Sequence, residues 1–121
     1  MSALVWVGVA LLGGGAAIGR SVLDWWIGSH LESRFPYGIF AVNTSGTLLL
    51  GLLYGLAVRG DALVLLGGAT LGSYTTFSTW MLQTRRLAVD GEMHLAIANV
   101  LLSLGVGIAA AALGRAIGTG L

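Results

Sequence analysis

Four apolar stretches follow one another in a chain of 121 residues, with only short polar joints between them. They run from about Leu4 to Ile27, Tyr37 to Val58, Ala62 to Leu87 and Met93 to Ile117. A helix needs about 20 residues to cross the hydrocarbon core of a membrane. All four stretches reach that length, some with residues over for tilt. A water-soluble fold has no place for so much apolar surface. Charged residues make up 9% of the chain and hydrophobic ones 56%, whereas roughly a quarter of a soluble domain is charged. The expected fold is an all-α membrane protein: one domain with four transmembrane helices.

The first stretch has the greasiness of a signal peptide but lacks the positively charged leader. Its apolar character resumes after Arg20, up to Ile27. It reads as a spanning helix that stays in the mature protein.

The joints hold most of the charge. Gly28 to Pro36 carries His30, Glu32 and Arg34; the second joint is Arg59-Gly60-Asp61; the third is Ala88 to Glu92. Pro36 stands where a first helical turn would begin. Trp25, Trp26 and Tyr37 sit where aromatic residues meet the headgroups. Four crossings place both termini on one side, with Arg59 and Arg115. The other side holds Arg34, Arg85 and Arg86, with Arg20 near the same end. So small a bias leaves orientation open under the positive-inside rule. It permits insertion both ways, and hence an antiparallel homodimer.

Several function classes fall away. The chain has no cysteine and no lysine, and its net charge is +1. It offers no thiolate site and no basic patch for nucleic acid. No nucleotide motif is present. His30 and His94 lack metal-ligand spacing, and Ser78 has no base near it in sequence, so an enzyme is not expected.

Within the third stretch, GSYTTFSTWML (residues 72 to 82) crowds Gly72, Ser73, Thr75, Thr76, Ser78 and Thr79 around three rings. Hydroxyls and small residues at that depth predict a helix break near residues 72 to 76. A freed carbonyl is tolerated in a membrane only where something else satisfies it. A buried cation or a symmetry-related partner would do so. Phe77 and Trp80, three apart, share a face. Ring edges carry partial positive charge and suit an anion path, but rings at helical spacing also serve plain packing.

Other polar residues have two readings each. Asn43 is an interhelical hydrogen-bonding residue or a pore-lining donor. Arg20 snorkels to the headgroups, with Asp24 one turn on, or forms an electropositive vestibule. Asn99, Ser103 and Gly107 recur every four residues and share a helix face, as a packing seam or an ion track. The glycines, 20 in all, read as close-packing positions; Gly51 and Gly55 have small-x3-small spacing.

Three segments together resemble the Fluc-type (CrcB) fluoride channels. They are GGGAAIGR (13 to 20), FPYGIFAVNTSGTLLLGLLYG (35 to 55) and GATLGSYTTFSTW (68 to 80), and the resemblance covers almost the whole chain. It implies a four-helix subunit with the third helix broken mid-membrane. It implies an antiparallel, dual-topology homodimer in the inner membrane of a prokaryote, with two fluoride pores. It also implies a structural sodium ion at the dimer centre, on the main-chain carbonyls of Gly72 and Thr75. The family's pore aromatics fall on Phe77 and Trp80, its asparagine on Asn43, its helix-four polar track on Asn99, Ser103 and Gly107, and its arginine on Arg20. Thr76 and Thr79 add donors or caps. The chain departs from the family pattern at Trp80 (usually phenylalanine), Asn99 (often tyrosine), Gly107, Ser21 and Ala16-Ala17.

The implied activity is passive fluoride export. A proton-coupled exporter would place a carboxylate inside a span, and here only Asp24 comes near one.

Overall fold

The computed structural model describes residues 1–121 and is entirely helical. α1 spans Ala3–His30, 28 residues, or about 42 Å at 1.5 Å per residue. The Ser2 hydroxyl caps it, accepting from the Val5 N–H at 3.2 Å. No residue of α1 is buried. Within the joint that follows, Phe35 is buried and meets the Tyr37 and Phe40 rings at 4.8 and 5.8 Å. Arg34 in this joint forms an ion pair with Glu92, which ties it to the start of the last helix.

α2 spans Tyr37–Gly55 and stops three residues before the expected Val58. The stop is a Schellman turn: Ala57 takes φ 57°, and the Val58 N–H donates to the Leu53 carbonyl at 3.0 Å.

The third segment is not one regular helix. α3 (Gly60–Leu63) runs into a π-helix (Val64–Leu71) and then α4 (Gly72–Tyr74). The Thr70 hydroxyl donates to the Leu65 carbonyl, five residues back, at 2.7 Å, a reach that matches the wider π turn. Helical structure lapses over Thr75, Thr76 and Phe77 and resumes in α5 (Ser78–Val89). Gly72–Tyr74 is still helical, so the lapse lies a little later than the hydroxyl pattern predicts. A turn with Gly91 at φ 80° leads into α6 (Met93–Gly120). Of these elements α1, α2 and α6 are each long and apolar enough to cross a membrane.

α2 and α6 form the main contact of the fold, and glycine makes it close. A side chain on Gly51 or Gly55 would collide with the carbonyls of Ala111 and Arg115. One on Gly114 would collide with the Leu48 carbonyl, and one on Gly118 would sit 2.6 Å from the Leu52 carbonyl. Two small-x3-small pairs thus interlock backbone to backbone. α1 lies on the π-helix through Gly8 and Gly13, the latter facing the Ser73 hydroxyl, while Gly14, Gly15 and Gly68 face open space. α5 packs on α6.

Only 14 of 121 residues are buried, and large apolar side chains such as Leu4, Trp25 and Ile108 are outermost. That inversion is stable where the solvent is lipid rather than water.

Candidate functional site

The lapse at Thr75–Phe77 frees backbone groups in the middle of the fold, and side chains from α1 and α2 come to them. Asn43, on α2, takes both groups of Thr76. Its Nδ2 donates to the Thr76 carbonyl at 2.8 Å, and its Oδ1 accepts from the Thr76 N–H at 2.8 Å. The amide acts as a missing piece of helix. One of its two N–H bonds is left over. Thr76 also starts the next helix: its hydroxyl accepts from the Thr79 N–H at 3.2 Å and lies 3.3 Å from the Thr79 hydroxyl. That is capping by a threonine ahead of the first turn.

The turn before the lapse is held in the same way. The Thr75 hydroxyl and N–H both donate to the Leu71 carbonyl, at 2.9 and 3.0 Å. The Tyr74 and Ser45 hydroxyls lie 2.9 Å apart, and Thr75 packs against Gly46, where a Cβ would overlap its methyl.

No backbone N–H reaches the carbonyls of Gly72 or Thr75. Arg20 Nη1, from α1, lies 3.5 Å from the Thr75 carbonyl. These are neutral, hard oxygens of the kind that hard cations take. The Thr75 oxygen has a second lone pair beyond its contact with Arg20. No cluster of three or more His, Cys, Asp or Glu side chains exists to hold a metal. Two carbonyls per chain are too few for a full shell, and a second copy would double them.

These residues border an open groove of about 460 Å³ on one face of the protein. Its walls include Asn43, Gly72, Thr75, Thr76, Phe77, Trp80, Ser103 and Gly107. Phe77 stands 70% exposed. Its ring meets Trp80 edge-on, with centroids 5.7 Å apart and planes at 86°. In this arrangement one ring offers its positive rim to the other's face. The floor is mostly apolar, with a few convergent polar groups, as in small-ligand sites.

Three residues singled out in the sequence stand outside the groove wall. Arg20 is behind the Thr75 carbonyl. Thr79 is turned to the Thr76 cap. Asn99 is 1% exposed, packed between α5 and α6, with its amide donating to the Thr84 hydroxyl at 2.9 Å. The four-residue spacing from Asn99 to Gly107 is therefore only partly a groove stripe: its first member lies one layer deeper. The sequence reading gave no site role to Tyr74, Ser45 or Thr84. The last is four residues from Trp80, so shared helix face was the available signal.

The family profile for "CrcB-like protein, Camphor Resistance (CrcB)" matches residues 7–115. A protein of Mycobacterium bovis described as "Fluoride-specific ion channel FluC 2" is 45% identical over 115 residues, covering 95% of this chain and 91% of its own. A Mycolicibacterium paratuberculosis protein with the same description is 47% identical over 111 residues, covering 92% and 91%. "Fluoride-specific ion channel FluC 1" of Symbiobacterium thermophilum is 44% identical over 121 residues, covering 95% and 98%. A multi-pass membrane protein that matches this profile along nearly all its length, and these relatives along nearly all of theirs, belongs to the CrcB-like family.

Proposed function

We propose that this chain is a fluoride-selective channel that lets fluoride leave the cell passively, in the inner membrane of a bacterium. The observation that carries the reading is the groove: an exposed Phe77 set edge-on to Trp80, beside an Asn43 amide with an N–H to spare. The names of the relatives supply the ion.

In this reading the chain crosses the membrane four times, at about residues 4–27, 37–58, 62–87 and 93–117. The third crossing is assembled from α3 through α5. The groove is open on a single chain, so a second chain closes it. An antiparallel homodimer does this twice and yields two pores. Fluoride enters cells as neutral HF and is trapped as the ion at cytosolic pH; a passive path for the ion relieves that trap without ATP.

The groove residues would act on the ion as follows. Fluoride has a large hydration energy, and each shed water must be replaced by a donor. Asn43 offers its second N–H. Thr76 and Ser103 offer hydroxyls that would turn to the ion from the long contacts they make with Thr79 Oγ1 and Asn99 Oδ1, at 3.3 and 3.4 Å, and Phe77 and Trp80 offer ring edges. Thr79 supports the Thr76 cap, and Gly107 leaves the passage unobstructed, since nothing lies within 4 Å of where its side chain would begin. Asn99 acts from behind, through its contacts with Trp80 and Ser103. Such contacts, spread along the groove rather than gathered at one point, suit a path an ion must enter and leave. Arg20, whose guanidinium lies at the Thr75 carbonyl behind the groove wall, would lend positive potential to the vestibule.

A structural sodium ion at the dimer centre fits the donor chemistry at Gly72 and Thr75. The four carbonyls, two from each copy, would hold it. When bound it supplies a fixed positive charge and a cross-link between copies.

The test is ion release from liposomes holding the purified protein, with the membrane potential clamped by a potassium ionophore. Fast fluoride efflux with no chloride efflux is the expected result. Intact dimer that releases no fluoride would overturn the reading, and release of protons together with a substrate would favour a coupled exporter.

A further inference from the structure

Behind the groove, α5 and α6 are joined by a closed circuit of three hydrogen bonds. The Trp80 indole N–H donates to the Asn99 main-chain carbonyl at 3.2 Å. The Asn99 amide donates to the Thr84 hydroxyl at 2.9 Å. The Thr84 hydroxyl donates back to the Trp80 carbonyl at 2.8 Å. The circuit thus begins and ends on Trp80. Ser103 touches it too, its hydroxyl 3.4 Å from Asn99 Oδ1.

Two features separate this circuit from ordinary packing. Asn99 is the one buried polar side chain of the chain, at 1% exposure. Such a group is costly unless paired, and its partners are therefore specified. And the circuit terminates on a ring that borders the groove. The second torsion of a tryptophan side chain is broad. An edge contact with Phe77 does not by itself fix that torsion. A hydrogen bond at the ring's far tip removes that freedom.

We propose that Thr84 and Asn99 are positioning residues that fix the orientation of the Trp80 ring and keep its N–H out of the groove. The acceptor of the indole is a main-chain oxygen, which no substitution deletes. What Thr84 and Asn99 control is its placement. By linking the α6 turn that carries the oxygen to the α5 turn that carries the ring, they hold donor and acceptor at bonding distance. The consequence for conduction rests on the channel reading above. An indole N–H turned into a narrow path would be a strong donor to a bare anion and would retain it. Engaged on Asn99, it leaves the ring edge as the weaker contact that favours release.

The experiment uses the full chain as its dimer in liposomes, with Trp6, Trp25 and Trp26 replaced by Phe so that Trp80 is the only indole. The hydrogen-bond-sensitive indole band in ultraviolet resonance Raman spectra reports the N–H directly. Thr84→Val keeps the shape and removes the hydroxyl; Thr84→Ala does the same with less bulk, should the valine chain fail to fold; Thr84→Ser restores the oxygen. The expected result is a shift of the Trp80 band toward a free or differently bonded N–H in the Val and Ala variants, and its return in the Ser variant. Fluoride efflux should slow in the first two and recover in the third. In a Trp80→Phe chain, Thr84→Val should leave the efflux of that chain unchanged. A Trp80 band that is the same in all variants would overturn the proposal. So would an equal effect of Thr84→Val with and without the indole. If no chain conducts fluoride, the channel reading fails, and the Raman band alone still decides the positioning role.

Discussion

Asn43 holds the N–H and the carbonyl of Thr76 at once, each at 2.8 Å, across the break in the third segment. This pairing lets the chain be irregular in the middle of a membrane, because both groups would otherwise lack a partner at a depth where lipid offers none. It also sets the site: with Thr76 fixed, Phe77 is thrown outward and α5 restarts at Ser78.

Asn43→Leu is therefore expected to destabilise the fold. Two polar groups lose their partner, at about 1–3 kcal/mol for each one left unsatisfied in a buried setting. Asn43→Asp keeps the acceptor and loses the donor, placing a carboxylate against the Thr76 carbonyl, and should be no better. The check is the thermal midpoint of the purified protein in detergent, followed by loss of dimer on a sizing column. A midpoint unchanged in Asn43→Leu would mean that Thr76 finds other partners.

Much of this was legible in the sequence, for identifiable reasons. A strong spacing rule governs the length of apolar runs, so four stretches and three joints could be read directly. The hydroxyl cluster at Thr75, Thr76 and Thr79 signalled the break, since few side chains there favour a continuous helix. The close approach of Gly51 to the other backbone followed from its spacing with Gly55. Less legible was anything that depends on which neighbour a polar group chooses. Asn43 pairs with a residue 33 positions away, and periodicity carries no signal over that distance. Asn99 sat on a plausible stripe with Ser103 and Gly107, yet a rotation of a few tens of degrees about α6 decides between groove wall and interior. The π-helix at Val64–Leu71 has no strong composition of its own and was not anticipated.

The seam between α2 and α6 should tolerate no side chain. Gly51→Ala and Gly114→Ala each force a Cβ into a backbone carbonyl, which cannot step aside as a flexible side chain would. A loss of about 1–3 kcal/mol or more is expected for each, in the range of overpacked cores. Gly105→Ala is the control, because nothing lies within 4 Å of that position; alanine there gains helix propensity of about 1 kcal/mol. Unfolding in detergent should place both seam variants below the Gly105→Ala control, and equal stability of all three would show that the helices can separate at little cost.

Glu92→Gln breaks the ion pair with Arg34 but should change little. The Arg34 side chain is 73% exposed and that of Glu92 18%; with the cation in water the pair is worth about 0–1 kcal/mol. The expected outcome is a thermal midpoint close to that of the parent protein, in low salt and in high salt alike. A large drop confined to low salt would mean that the joint, rather than the α2–α6 seam, holds this end of the fold together.

Gly107→Leu separates the fold from its use. The position is open, with nothing within 4 Å of a side chain placed there, and it borders the groove with Phe77 and Trp80. A leucine in a helix costs little by propensity, so the protomer should fold with unchanged helix content. The side chain would project into the space that the channel reading assigns to the ion or to the second copy. Circular dichroism, light scattering on the detergent-solubilised protein and fluoride efflux together give the answer. Normal helicity with efflux reduced to that of empty liposomes is expected. A dimer that survives places the leucine in the path itself, whereas a dimer that falls apart places it in the contact between copies. Efflux at the parental rate, with the fold and dimer intact, would move the path to another face of the protein.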